Sequence, residues 1–341
     1  MKTRLFKGTL VSVLLPAYNE AASLAATVGD VAGLMQSLVV AQGGQFEIVI
    51  VDDGSADHTQ QVIASLPLDY NIVSVRLSRN FGKEAALSAG FLEVRGDVVV
   101  SMDADGQHPL ASVRQMLAVW CSGVDMVYAV RADRGQEAAF KRLGSKFFYR
   151  VLSANDRFDI PANAGDFRVL DRCVVNALNA LPEKNRFMKG LYAWVGFSSV
   201  AVEYTPLARA QGVSHFSKRR LLALGWTGLT GFSTLPLRAA SVVGAALAML
   251  AFMYGLFVVY DKMVNDAALA GWPTIVAGMM FLSGVQLLFV GVLGEYIARI
   301  YDEVKARPNA IVANVTRPAD QIKNNLKINL KTTLKNTLDN A

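Results

Sequence analysis

Two stretches without a single charged residue, Ala239–Tyr260 and Trp272–Gly294, restrict this chain more than any other feature. Each runs to about 22 residues, the length a helix needs to cross the apolar core of a bilayer. One such run could be a buried core helix; two adjacent ones without a charge point to a pair of membrane spans. The connector, DKMVNDAALAG, carries one lysine, whereas Arg219, Arg220 and Arg238 precede the first run and Arg299, Lys305 and Arg307 follow the second. Basic flanks stay on the cytoplasmic side, so both ends of the pair are expected there, with the connector as a short external loop.

The flanking segments carry their own signals. Ser214–Leu235 mixes Lys218, Arg219 and Arg220 with Leu221, Leu222, Leu224 and Trp226, so 211–238 reads as an amphipathic interfacial segment, 239–298 as the two spans and 299–341 as a cytoplasmic basic tail. In that tail Leu326, Leu330, Leu334 and Leu338 recur every fourth residue beside Lys323, Lys327, Lys331 and Lys335. A helix lying on an anionic leaflet and a basic disordered tail both fit the pattern.

Residues 1–210 have a different texture. Apolar runs at Val11–Pro16, Phe46–Val51, Val73–Leu77 and Asp97–Met102 alternate with helically spaced segments at Glu20–Val40, Asp57–Leu66, Lys83–Arg95 and Pro109–Cys121. That alternation predicts an α/β domain whose mostly parallel sheet is covered by helices on both faces. The basic N-terminal residues lead into the first strand, because the apolar run there is too short for a signal peptide and stops at Pro16. The chain's net charge of +6 suggests an anionic partner: membrane lipid, nucleotide or nucleic acid. Its two cysteines, Cys121 and Cys173, lack C-x-x-C spacing, which argues against a zinc site or a disulfide framework and fits a reducing compartment.

Chemistry in such sheets gathers at the carboxyl ends of the strands. The residues that follow the strands here are AYNE, DDGSAD, SRNFGKE and DADGQHP. Asp103 and Asp105, one residue apart at a strand end, can turn toward one point, where they repel unless a cation joins them. A hard divalent ion with oxygen ligands would do so, with Gln107 adding a neutral oxygen. A helix-capping turn before Pro109 is the plainer explanation of the same residues. Asp52 and Asp53 suit hydrogen bonds to a ribose or a base, while Gly54, Ser55 and Asp57 make an ordinary capped turn. Neither a dinucleotide fingerprint nor a P-loop is present.

In order and spacing, VSVLLPAYNE, VDDGSADHT, SRNFGKEAALSAGF and SMDADGQHP resemble the inverting family-two glycosyltransferases of the GT-A type, with their Rossmann-like sheet. AGDFRVLDR (164–172), LPEKNRFMKGLYAWVGF (181–197), LGWTGLTGFSTLPLR (224–238) and GVQLLFVGVLGEYIARIYDEVKARP (284–308) are similar to the polyprenyl-phosphate subgroup, in its bacterial two-span form. The likeness runs from Val11 to Pro308. It implies a nucleotide-sugar site at Pro16, Ala17, Tyr18, Glu20, Asp52, Asp53, Lys83, Asp103 and Ala104. It also implies a Mg2+ or Mn2+ ion on Asp103, Asp105 and Gln107, and diphosphate contacts from Arg209 and Lys218. The acceptor phosphate would meet Arg131, Lys141, Arg142 and Ser145, a set that a basic, lipid-facing helix would also explain. Trp226 and Thr227 stand where the family commonly has an acidic residue, which puts contacts there in doubt.

The expected reaction moves a sugar, glucose from UDP-glucose being favoured over mannose, GlcNAc or an aminoarabinose, onto a polyprenyl phosphate such as undecaprenyl phosphate. It would take place at the inner face of the cytoplasmic membrane, catalysed through Asp105, Asp166 and Arg209. A phosphate acceptor is already ionised near neutral pH, so Asp166 is expected to orient rather than deprotonate, with Arg168 as its ion-pair partner. His108 reads as a helix N-terminal residue. Two rivals stand beside this: a processive polysaccharide synthase, which usually has a Q-x-x-R-W element and more spans, and a non-catalytic scaffold, which tends to lose the acids retained here. Related two-span members are compatible with a homo-tetramer.

Overall fold

The structure, a computed structural model, describes residues 3–132, 164–184, 186–207, 235–265 and 271–318. Its described residues fall into two compact units, one ending in the segment from Pro308 onward, the other holding the two long apolar helices.

The first unit is an eight-stranded sheet in the order β7-β5-β6-β4-β1-β2-β3-β8. Four expected strands form its centre: β1 (Leu10–Ala17), β2 (Gln45–Asp52), β3 (Ile72–Leu77) and β4 (Val98–Ser101), all parallel. Their runs of valine, isoleucine and leucine are continuous because both faces are covered. Val11, Val13, Leu15, Ile48, Ile50, Val98 and Val100 are fully buried in one cluster with α1 (Leu24–Leu38) and α4 (Leu110–Cys121). Leu14 and Val51, one residue out of phase, meet α3 (Lys83–Glu93) on the other face at Gly90. The short α2 (Thr59–Ser65) completes the expected helices. Although apolar enough by composition to cross a membrane, α1 is a core helix, with Leu24, Val28, Val31 and Met35 buried against the sheet.

The flanks of the sheet carry what the apolar pattern did not show. β5 (Met126–Arg131), β6 (Ala164–Asp171) and β7 (Ser199–Tyr204) extend one side, followed by α5 (Arg172–Ala180) after β6 and α6 (Met188–Trp194) before β7. β6 runs antiparallel to both β4 and β5, whereas β7 is parallel to β5. At the opposite edge β8 (Val312–Thr316) pairs antiparallel with β3, and Arg317 holds Glu93 of α3 at 2.6 Å. Part of the expected tail is therefore an edge strand, which also closes an otherwise open row of backbone donors and acceptors. Only β6 and β8 run against the other strands, so their first residues share a rim with the last residues of the rest.

The second unit contains α7 (Leu235–Asn265) and α8 (Trp272–Val304). The most apolar windows of these helices, Ala240–Phe257 and Gly278–Val304, have no buried residue. Phe252, Phe257, Met280, Leu287 and Leu288 are each at least 60% exposed, a surface that suits lipid and not water. The helices touch where Gly244 of α7 lies against the Phe289 ring.

Gly90 tests how closely α3 is packed. Alanine there should gain about 1 kcal/mol of helix propensity, but its Cβ would stand 2.3 Å from Cδ1 of the fully buried Leu14 and 3.0 Å from Val51. Overpacking wins: Gly90→Ala should destabilise the unit by about 1–2 kcal/mol, measured as a lowered thermal midpoint of the detergent-solubilised protein.

Candidate active site

Two loops on the rim are tied together before any substrate group is considered. After β1 the chain turns through Asn19, at a positive φ of 57°, whose side chain accepts from the Ala56 N–H at 2.9 Å. In return Ser55 Oγ accepts from the Asn19 N–H, and Thr59 Oγ1 from that of Glu20, both at 2.9 Å. The AYNE and DDGSAD segments thus form one surface, with Tyr18 45% exposed upon it.

The two consecutive aspartates divide their duties. Asp53 is 3% exposed, and both its oxygens accept backbone N–H groups, from Phe81 at 2.7 Å and Gly82 at 2.9 Å. It serves as the N-terminal anchor of α3, supplied from the neighbouring strand. Asp52 accepts from the Ser55 N–H at 2.9 Å, while its Oδ2 is buried without a hydrogen-bond partner. Gly54, at φ 65°, lets the two loops stack backbone on backbone, since a Cβ there would lie 2.3 Å from the carbonyl carbon of Arg79. This fixes the first residue of α3, which is Lys83.

Lys83 Nζ stands 2.6 Å from Asp103 Oδ1 and 3.0 Å from Asp166 Oδ2. Asp166 arrives from the start of β6: because that strand is antiparallel, Arg168 pairs with Ser101 and the residues before it reach past the end of β4. Burial alone would lower the lysine pKa, but Asp166 and Asp103 outweigh it and hold the ammonium well above its ordinary value. Burial likewise opposes ionisation of Asp103, yet Lys83, His108 and Arg131 together keep its carboxyl below the usual range. Asp105 lies in the turn beyond, accepting from the Gln107 N–H at 3.1 Å, with Gly106 at φ 73°. Ala104 is buried, its carbonyl accepting from Thr27 at 3.2 Å. Arg131 closes the group from the end of β5, its Nε donating to Tyr204 Oη at 3.5 Å.

These features have close parallels elsewhere. The model for "Glycosyl transferase family 2" matches residues 12–178, and that for the "GtrB C-terminal hairpin" matches 235–300. The SfII prophage-derived bactoprenol glucosyl transferase of Shigella flexneri is 38% identical over 303 residues, 89% of this chain and 97% of that one. A prophage bactoprenol glucosyl transferase homolog of Escherichia coli K12 is 36% identical over 308 residues, covering 90% and 99%. The chain belongs to the family 2 glycosyl transferases, alongside the bactoprenol glucosyl transferases. Among solved structures, glucosyl-3-phosphoglycerate synthase from Mycobacterium tuberculosis superposes with a TM-score of 0.42 at 21% identity, covering 65% of this chain and 78% of that one.

Within the transferase, the expected partner of Asp166 is corrected. The group at ion-pair distance is Lys83; the Arg168 guanidinium donates to the Gly165 carbonyl at 2.9 Å and lies 4.1 Å from the Tyr192 ring. Arg168 is 1% exposed and forms part of the floor under the site. His108 precedes α4 as expected and packs on Phe167, ring centroids 4.3 Å apart. Burial lowers its pKa despite the nearby acids. Lys141, Arg142, Ser145, Arg209 and Lys218 lie outside the described residues. The sequence reading missed Glu84, Tyr192 and Tyr204; the acid beside the lysine in FGKE was the available signal for Glu84, and nothing marked the tyrosines.

The donor set fits a divalent ion. Asp103 and Asp105 offer hard carboxylate oxygens from one turn, and Asp166 Oδ1 is buried with no hydrogen-bond partner. Among the described residues no three His, Cys, Asp or Glu side chains cluster as a complete metal site.

Glu84 gives the site a pH signature. Its Oε2 accepts from the Met188 N–H at 3.0 Å, tying α3 to α6, while burial and the charge of Asp166 push its pKa up to about 7. A raised carboxylate contributes stability that is complete below its unfolded value and is lost as pH rises through the folded value. The wild type should therefore lose stability between about pH 4.5 and pH 7, the interval between those two values. Glu84→Gln keeps an acceptor for Met188 and should flatten that slope, read from thermal midpoints at pH 5 and pH 8.

Proposed function

We propose that this transferase moves glucose, with inversion, from a nucleotide diphosphate donor, UDP-glucose favoured, to a polyprenyl phosphate at the cytoplasmic face of the membrane. The supporting observation is the gathering of Asp103, Asp105, Asp166, Lys83 and Arg131 on one rim, acids and bases within a few side chains of each other. The names of the relatives support bactoprenol as the acceptor and glucose as the sugar.

The reaction sets two anions side by side. Charge builds on the departing nucleotide diphosphate as the glycosidic bond breaks, and a Mg2+ or Mn2+ ion on Asp103 and Asp105 would neutralise it as a Lewis acid. The incoming phosphate monoester has a second pKa of about 6 and is largely dianionic at neutral pH, so it attacks without a strong base. Its need is for cations, and Arg131 at the end of β5 supplies one. Asp166, fixed by Lys83, then orients the sugar hydroxyls or the acceptor instead of taking a proton. The Asp52 turn and the loop that carries Tyr18 provide the surface for the nucleotide.

The helical hairpin brings the enzyme to an acceptor that does not leave the bilayer. The basic flanks at both ends of the helical pair support two crossings with both ends at the cytoplasmic face, and the return of the chain to the sheet at β8 is compatible with that reading.

Purified protein incubated with labelled UDP-glucose, undecaprenyl phosphate and Mg2+ or Mn2+ should yield an acid-labile, organic-extractable glucolipid, and chelator should abolish it. Asp105→Asn should lower kcat about a thousandfold or more, whereas Asp166→Asn should cost less than about tenfold. Equal losses at the two positions would make Asp166 a base, and turnover unchanged in chelator would remove the metal.

A further inference from the structure

The ammonium of Lys83 lies on the oxygens that a divalent ion would approach. Its Nζ contacts Asp103 Oδ1 at 2.6 Å while also holding Asp166 Oδ2 at 3.0 Å. The backbone that carries the lysine is fixed: it opens α3, whose start is fastened by the two backbone hydrogen bonds to Asp53, and Glu84 beside it fastens the same turn to α6. Arg131 adds a second positive charge near Asp103.

We propose that Lys83 is the resident counter-ion of this rim: a positioning residue that holds Asp166 beside Asp103 and keeps affinity for a divalent cation low until a nucleotide diphosphate is bound. This rests on the reading above, in which a metal-bound nucleotide diphosphate occupies the rim. Its basis is Coulombic. An ion on Asp103 must share a carboxylate with an ammonium, and like charges at that range repel even where the effective dielectric is high. The diphosphate brings negative charge that cancels the repulsion, so metal and nucleotide enter as a pair. Before that, the ammonium prevents Asp103 and Asp166 from repelling each other, which would otherwise push one of them toward protonation. A lysine that acted only by touching the donor would have no reason to be engaged by both acids.

The test is Mn2+ binding to the full-length protein in detergent, measured by electron paramagnetic resonance with the metal alone and with UDP. K83M should bind Mn2+ alone at least about tenfold more tightly than wild type, and K83R should stay within about threefold of it. D166N, which leaves the ammonium wholly on Asp103 and removes one negative charge, should bind the ion at least about threefold more weakly. In turnover, K83M/D166N should fall no more than about threefold below the worse single variant, the signature of two groups acting as one unit. K83M that binds Mn2+ no more tightly than wild type overturns the proposal, as do fully additive kcat losses in the double variant. Thermal midpoints check folding; should K83M not fold, D166N decides, and unchanged Mn2+ affinity in it overturns the proposal. Wild type that binds no Mn2+ even with UDP present defeats the metal–nucleotide reading itself. Binding with UDP, combined with no gain in K83M, defeats only the role of Lys83.

Discussion

Two carboxylates at one edge of a sheet repel one another, and a cation set between them prevents it. Two unit charges about 4 Å apart interact by roughly 4 kcal/mol at an effective dielectric of about 20, a large fraction of the net stability of a domain. Lys83, within 3.0 Å of both Asp103 and Asp166, turns that repulsion into attraction. The requirement then propagates through the fold. The lysine must begin a helix, the helix must start at a fixed height above the sheet, and its far end must pack closely, which Asp53 and Gly90 respectively provide.

Strand direction does the rest. In an all-parallel sheet every strand presents its last residues to the rim, and Asp166, near the start of β6, would lie at the opposite edge. The reversal of β6 brings it back, level with the end of β4. β5 and β7 keep the original direction, so Arg131 and Tyr204, their last residues, also reach the rim and lie opposite each other in register. A single antiparallel strand between parallel ones thus combines an acid from one kind of strand end with bases from the other.

The parallel centre was legible because strands buried on both faces consist of unbroken apolar residues, and all four expected strands lie within about a residue of the observed bounds. The outer strands were not. VEY in β7 and GDFR in β6 interleave charged and polar residues, because one face or one end of these strands carries site residues instead of core. β8 was read as tail because five residues of VANVT have no pattern of their own and acquire one only by pairing with β3. In the site, the D-x-D turn and Arg131 were readable from position alone, since each ends a strand. The contacts of Asp53 were not: an aspartate that holds the backbone N–H groups just ahead of a helix looks, in sequence, like one that binds a ribose. Nor was the partner of Asp166. Arg168, two residues away on the same strand, was the obvious choice, yet Lys83, remote in sequence, is the group that reaches it, while the arginine stands 4.1 Å from the centroid of the Tyr192 ring.

The same charges explain why such a site belongs beside a bilayer. An acceptor phosphate is held by cations, and an anionic leaflet would compete for any that were mobile. Here Lys83 is committed to acids by direct contact, while Arg131 donates to Tyr204 Oη and, in the proposed reaction, is the cation that would meet the acceptor. Direct salt bridges therefore commit Lys83 to the acids of the site itself. The two cations also differ in position: the lysine opens α3 on the parallel centre, and the arginine ends β5, toward the outer strands.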